Sequence, residues 1–116
     1  MAIPKDVEIS DPWRGLELPE MEERANLLTA ELRKECPPGH ILHGLPTRAV
    51  ATRIDRDDVL FEIEGISQSL AVVHLTWREE TDPRWPSTKV FENWEQWINE
   101  DMMPSHQDYS NSRKAK

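Results

Sequence analysis

Between Thr47 and Trp77 the chain holds three β-type runs joined by stretches too short to carry a crossover. Thr47 to Ile54 alternates, Val59 to Glu64 sets Val59, Phe61 and Ile63 on one face, and Leu70 to Trp77 is a longer β-branched run. Asp55-Arg56-Asp57-Asp58 makes the first turn and Gly65 to Ser69 the second. A parallel return needs roughly a dozen residues or more, so these strands must run antiparallel, as a meander.

A meander with one apolar face needs cover, and two segments supply it. From Pro19, Met21, Ala25, Leu28, Leu32 and Cys36 recur at helical spacing. Glu20, Glu22 and Glu23 suit the positive end of that helix, Arg33 and Lys34 its negative end, and Pro37-Pro38 stops it. Further on, Val90, Phe91, Trp94, Trp97 and Ile98 form a second stripe, with Ser87 or Thr88 as the expected cap. The expected fold is α+β: a three-stranded antiparallel β-meander with an N-terminal and a C-terminal amphipathic helix packed on it. The expected organisation is an irregular arm over residues 1–18, a single domain over 19–103 and a flexible polar tail over 104–116.

Composition bounds the function classes. The chain has 116 residues, 37% hydrophobic and 31% charged, enough apolar surface for one core without a cofactor. The first ten residues have no cationic start before an apolar run, and no stretch approaches a membrane span. A single cysteine suits a reducing compartment, so the expected location is cytoplasmic and away from membranes. With 14 basic and 22 acidic side chains the net charge is −8, which repels phosphate backbones, disfavours nucleic acid and favours a basic protein as partner.

Chemistry-bearing residues are sparse. His74 and Thr76 stand two apart on the third strand, so an extended backbone would place them side by side on one face. This resembles one half of the two-histidine phosphoesterase signature, whose second His-x-Thr copy is missing here. Ser67 or Ser69 could meet His74 as a nucleophile, although nothing in the pattern selects them. Cys36, His40 and His43 have donor types that zinc accepts, yet Cys36 also lies on an apolar stripe, where a thiol acts as a small hydrophobe. The turn carboxylates Asp55, Asp57 and Asp58 lack the central glycine and terminal glutamate of a calcium loop. There is no Gly-rich phosphate loop, nucleophile elbow, Cys-x-x-Cys or His-Glu-x-x-His.

Five tryptophans stand beside one tyrosine and two phenylalanines. Trp94 and Trp97 sit on the helical stripe and are expected in the core. Trp85 lies in a charged loop bounded by Pro83 and Pro86, where a rigid aromatic anchors an interface at low entropic cost.

The segments PPGH at 37–40, DRDDVLFEI at 55–63, AVVHLTW at 71–77, DPRWP at 82–86 and FENWEQW at 91–97 resemble a group of small uncharacterised bacterial proteins, over roughly residues 37–109. That resemblance implies a bacterial cytosolic origin and carries over no catalytic residue.

The function expected first is a non-enzymatic interaction module of immunity, inhibitor or accessory type. Its expected contacts are Trp85, Glu79, Glu80 and Asp82 in the charged loop and Trp13 on the arm, with no cofactor. The alternative is a small hydrolase or metal-dependent module using His74, with His40 and His43 brought near it. A homodimer through the aromatic helix or an edge strand is the third expectation.

Overall fold

The computed structural model describes residues 3–64 and 69–114. The architecture is α+β, with an antiparallel sheet of five strands rather than three. The strands are β1 (Trp13–Gly15), β2 (Thr47–Arg53), β3 (Asp58–Ile63), β4 (Leu70–His74) and β5 (Ser87–Phe91), ordered β1-β2-β3-β4-β5. Helix α1 (Glu22–Glu35) follows a 3₁₀ turn at Pro19–Met21. After β5 come α2 (Trp94–Trp97), a π-helical stretch (Ile98–Met102) and α3 (Met103–Lys114).

The meander of β2, β3 and β4 is as expected, though the residues 65–68 of its second turn lie outside the described residues. Both added strands come from segments read otherwise. β1, three residues long, is too short to show a period, and it extends the sheet from an arm expected to be irregular. β5 occupies the expected start of the second helix, because Thr88, Val90 and Phe91 suit a strand and the register against β4 supplies their hydrogen bonds. Ser87 and Thr88 therefore cap nothing. The helix begins one turn later at Asn93, whose side chain accepts the Gln96 N–H at 2.8 Å while Gln96 Oε1 accepts the Glu92 N–H at 2.6 Å.

The stretch expected to be a flexible tail is helical through Lys114. Pro104 explains the π-helical stretch before it, since a proline ring inside an α-helix collides with the carbonyl four residues back. The wider turn relieves that collision, and Met103 N–H reaches Ile98 O. His106 Nδ1 lies 2.6 Å from Asp11 O and ties this helix to the arm.

The sheet is covered on both faces. On one, Ala25, Leu28 and Leu32 of α1 pack on Ala49, Val59, Phe61, Ile63 and Val73. On the other, Trp94, Trp97 and Met102 pack on Trp13, Val50, Ala51, Leu60, Leu70 and Phe91. A bulge in β2 between Ala49 and Ala51 turns Val50 and Ala51 to this second face. Two-sided burial is why Val59-Leu60-Phe61 and Leu70-Ala71 carry no polar break.

Trp97 centres the second layer, edge-on to Trp13 at 5.4 Å and to Trp94 at 5.7 Å. Its indole N–H donates to Asp101 Oδ2 at 3.0 Å. Burying one such ring contributes more than the roughly 1 kcal/mol of a helix cap, so packing rather than capping holds this short helix in place.

Candidate docking loop

Residues 75–86 connect β4 to β5, and the fold fastens this loop at both ends through buried polar side chains. The first fastener is Glu35, the last residue of α1, which is 0% exposed. Its Oε1 accepts the Thr76 N–H at 2.8 Å and the Thr76 hydroxyl at 3.1 Å, and its Oε2 accepts the Trp77 N–H at 2.8 Å. Two successive N–H groups converge on one carboxylate only if the chain turns sharply, and Trp77 does so at φ 59°. That left-handed conformation costs a non-glycine residue about 1–2 kcal/mol, which the three charge-assisted hydrogen bonds offset.

The second fastener is His40, 5% exposed. Leu42 N–H donates to its Nδ1 at 3.0 Å, which leaves the proton on Nε2 to donate to Pro86 O at 2.9 Å. The Thr88 hydroxyl lies 3.3 Å from the same Nε2 and donates to Pro86 O at 3.0 Å. Beside His40, Gly39 at φ 93° lies so close to the loop that a Cβ there would come within 3.2 Å of Pro83 Cβ.

Within the loop, charges pair locally. Asp82 accepts the Arg84 N–H at 2.9 Å and holds the guanidinium at 2.7 Å, and Trp85 N–H donates to Asp82 O at 3.0 Å. The Arg84 hydrogen bonds draw the Asp82 carboxyl down to about 2. Glu80 takes the Arg78 guanidinium at 3.1 Å, and its carboxyl is held below the ordinary range, first by the Thr76 hydroxyl and then by Arg78. Thus Asp82 and Glu80, both expected contacts, partly serve to shape the loop. Glu79 is exposed, and with Glu80 it borders an open groove facing Arg33, Lys34 and Pro38 at the end of α1.

So fastened, the loop holds Trp77 46% exposed and Trp85 48% exposed. Ile41, next to His40, and Val90, four residues after Pro86, are exposed as well. Trp13 is the correction among the expected contacts: at 0% exposed it belongs to the core against Trp97, with Arg53 over its ring at 5.9 Å. A short strand at the sheet edge buried the aromatic that an irregular arm would have left outside.

The other candidates are dispersed. His74 Nδ1 lies 2.6 Å from Asp58 Oδ1, on the face away from α1, while Thr76 is bound to Glu35 at the end of α1. The strand ends at His74, so the alternation that would have paired the two does not continue. Both nitrogens of His40 are engaged by backbone groups, and His43 Nδ1 lies 3.0 Å from Cys36 O. Cys36 is buried, and burial, with the Glu35 charge adding to it, pushes its thiol up to about 11. Cys36 and His43 border a cleft of about 360 Å³ with Arg33, Leu42 and Thr47. No group of three or more His, Cys, Asp or Glu side chains among the described residues is arranged to hold a metal ion. Ser67 lies outside the described residues, and Ser69 spends its carbonyl on the Ile63 N–H.

Pairing register assembles one row that sequence reading missed: Asp58, His74 and Ser87 stand in line across β3, β4 and β5, while Arg53 of β2 stands opposite Trp13. Beneath it Arg53 clasps Asp55 at 2.8 and 2.9 Å and reaches the Ser105 hydroxyl at 3.3 Å. Burial foremost pushes the Asp101 carboxyl upward, against the pull of Trp97, Arg53 and Ser105.

Glu35 was also missed, though it left a signal: it falls seven residues after Leu28 on the apolar stripe, where a carboxylate needs a buried partner. No family model matches the chain, and neither a curated protein nor a solved structure matches it.

Proposed function

We propose that this chain is a small acidic cytosolic interaction module that docks another protein through residues 75–86, with Trp85 and Trp77 as anchors and Glu79 as the free charge. The observation that supports this most is the use of two buried polar side chains, Glu35 and His40, to hold one loop whose tryptophans stay half exposed. A binding surface gains a pre-ordered anchor, because side-chain and loop ordering is a main cost of association. Tryptophan is the commonest hot-spot residue and its ring face attracts guanidinium and ammonium groups, so the partner surface is one presenting arginine or lysine beside apolar side chains.

The test is site-specific photocrosslinking in host cells, with a benzophenone amino acid at Trp85 and, as control, at the exposed Leu27 of α1. The expected result is a discrete adduct from position 85 only, whose purified protein loses at least about tenfold affinity for W85A, an anchor-sized effect. Equal adducts from both positions, or unchanged affinity in W85A, would overturn the reading.

The hydrolytic alternative has one observation in its favour: Ser87, His74 and Asp58 lie on adjacent strands in one row, with the His74–Asp58 contact at 2.6 Å. A hydroxyl, an imidazole and an orienting carboxylate in that order are the parts of an acyl-transfer site. Labelling of Ser87 by a fluorophosphonate, lost in H74A, would favour it over docking; no labelling would remove it.

A further inference from the structure

The Glu35 carboxylate has a fourth neighbour besides the three loop donors. One turn earlier on the same face of α1 stands the Glu31 carboxyl, whose Oε2 is buried with no hydrogen-bond donor among the described residues. A carboxylate offers about four lone-pair sites, so two N–H groups, the Thr76 hydroxyl and a protonated Glu31 saturate Glu35. We propose that Glu31 and Glu35 form a proton-operated latch on the tryptophan loop: with Glu31 protonated the pair grips Thr76 and Trp77, and loss of that proton loosens the grip.

The chemistry follows from the geometry. Protonated, Glu31 donates its O–H to Glu35 and brings no charge. Ionised, it removes one donor and sets two carboxylates side by side, one of them with a buried oxygen that nothing compensates. Trp77 is the weak point, since its left-handed backbone persists only while the Glu35 hydrogen bonds hold it. The Glu31 carboxyl is pushed up to about 7, by the hydrogen bond to Glu35 first, then burial, then the Glu35 charge, against Lys34. The change therefore falls at neutral pH.

The other charged and titratable groups around the pair are Lys34 on the same helix, Cys36 just past its end, and Arg78 and Glu80 from the loop. Arg33 and Glu79 both line the adjoining groove, and His40 holds the far end of the loop through Pro86. As regulation of docking the latch rests on the proposed role of the loop, whereas the latch itself belongs to the free protein.

The test is an NMR titration of free protein from about pH 5.5 to 8.5, following the Thr76 and Trp77 amides and the Trp77 indole N–H in the native chain and in E31Q. Glutamine keeps a donor facing Glu35 at every pH. The expected result is a shift with an inflection near pH 7 at all three groups in the native chain, absent in E31Q. No inflection, or one that persists in E31Q, overturns the latch. Should E31Q not fold, the Glu31 side-chain carboxyl carbon is followed in the native chain from about pH 3 to 8.5, where a midpoint at the ordinary 4.5 overturns it equally. Neither measurement needs a partner, so a failed latch leaves the docking surface standing, and a failed crosslink leaves the latch standing.

Discussion

His40, in the loop after α1, and Pro86, the last residue before β5, are 46 residues apart in sequence and joined by a 2.9 Å hydrogen bond from ring to carbonyl. The ring's other nitrogen is held by Leu42 N–H, so the imidazole acts as a strut between two loops. Replacing it with phenylalanine keeps the bulk and leaves the Leu42 N–H and Pro86 carbonyl without partners. H40F should lose about 1–3 kcal/mol in urea denaturation, and its Trp85 indole should broaden in NMR. An unchanged midpoint would show that the strut carries no load.

Glu35 holds three donors of the same loop. E35A strands the Thr76 and Trp77 N–H groups and should cost about 2–4 kcal/mol, whereas E35Q retains one acceptor oxygen and should cost less. Denaturation of both variants at one pH checks the order.

Stability should depend on pH through Glu31. Its carboxyl is raised in the folded chain, so the fold binds a proton that the unfolded chain has already released between 4.5 and about 7. The contribution is full below 4.5 and is lost as pH rises through 7. The drop in urea midpoint between about pH 5 and pH 8 should therefore be smaller in E31Q than in the native chain.

Asp82 works in the opposite sense. Its carboxyl is lowered to about 2 by Arg84, so its contribution is present above the ordinary 3.8 and lost as pH falls through 2. In R84Q the Asp82 titration, followed by carboxyl-carbon NMR, should move up toward 3.8. An unmoved midpoint would contradict the pairing.

Trp97 separates packing from hydrogen bonding. W97A removes the ring between Trp13 and Trp94 and should cost about 3–5 kcal/mol. W97F keeps most of the volume but removes the donor to Asp101, and should cost about 1–3 kcal/mol. Thermal denaturation of the two gives the order.

Local chemistry in the sequence determined the meander of β2 to β4, the helix α1 with its proline stop, and the core stripe of Trp94 and Trp97. Periodicity and turn length act between near neighbours, so a linear reading reaches them. Only the tertiary structure decided the rest. β1 and β5 are strands because a neighbouring edge accepts their hydrogen bonds, and Trp13 is buried because β1 sets it over Trp97. Glu35, His40 and the Asp58–His74 pair acquire their roles from groups 16 to 46 residues away. A hydrogen bond across that separation leaves no period in the chain, because its geometry exists only once the helix and the sheet are packed together.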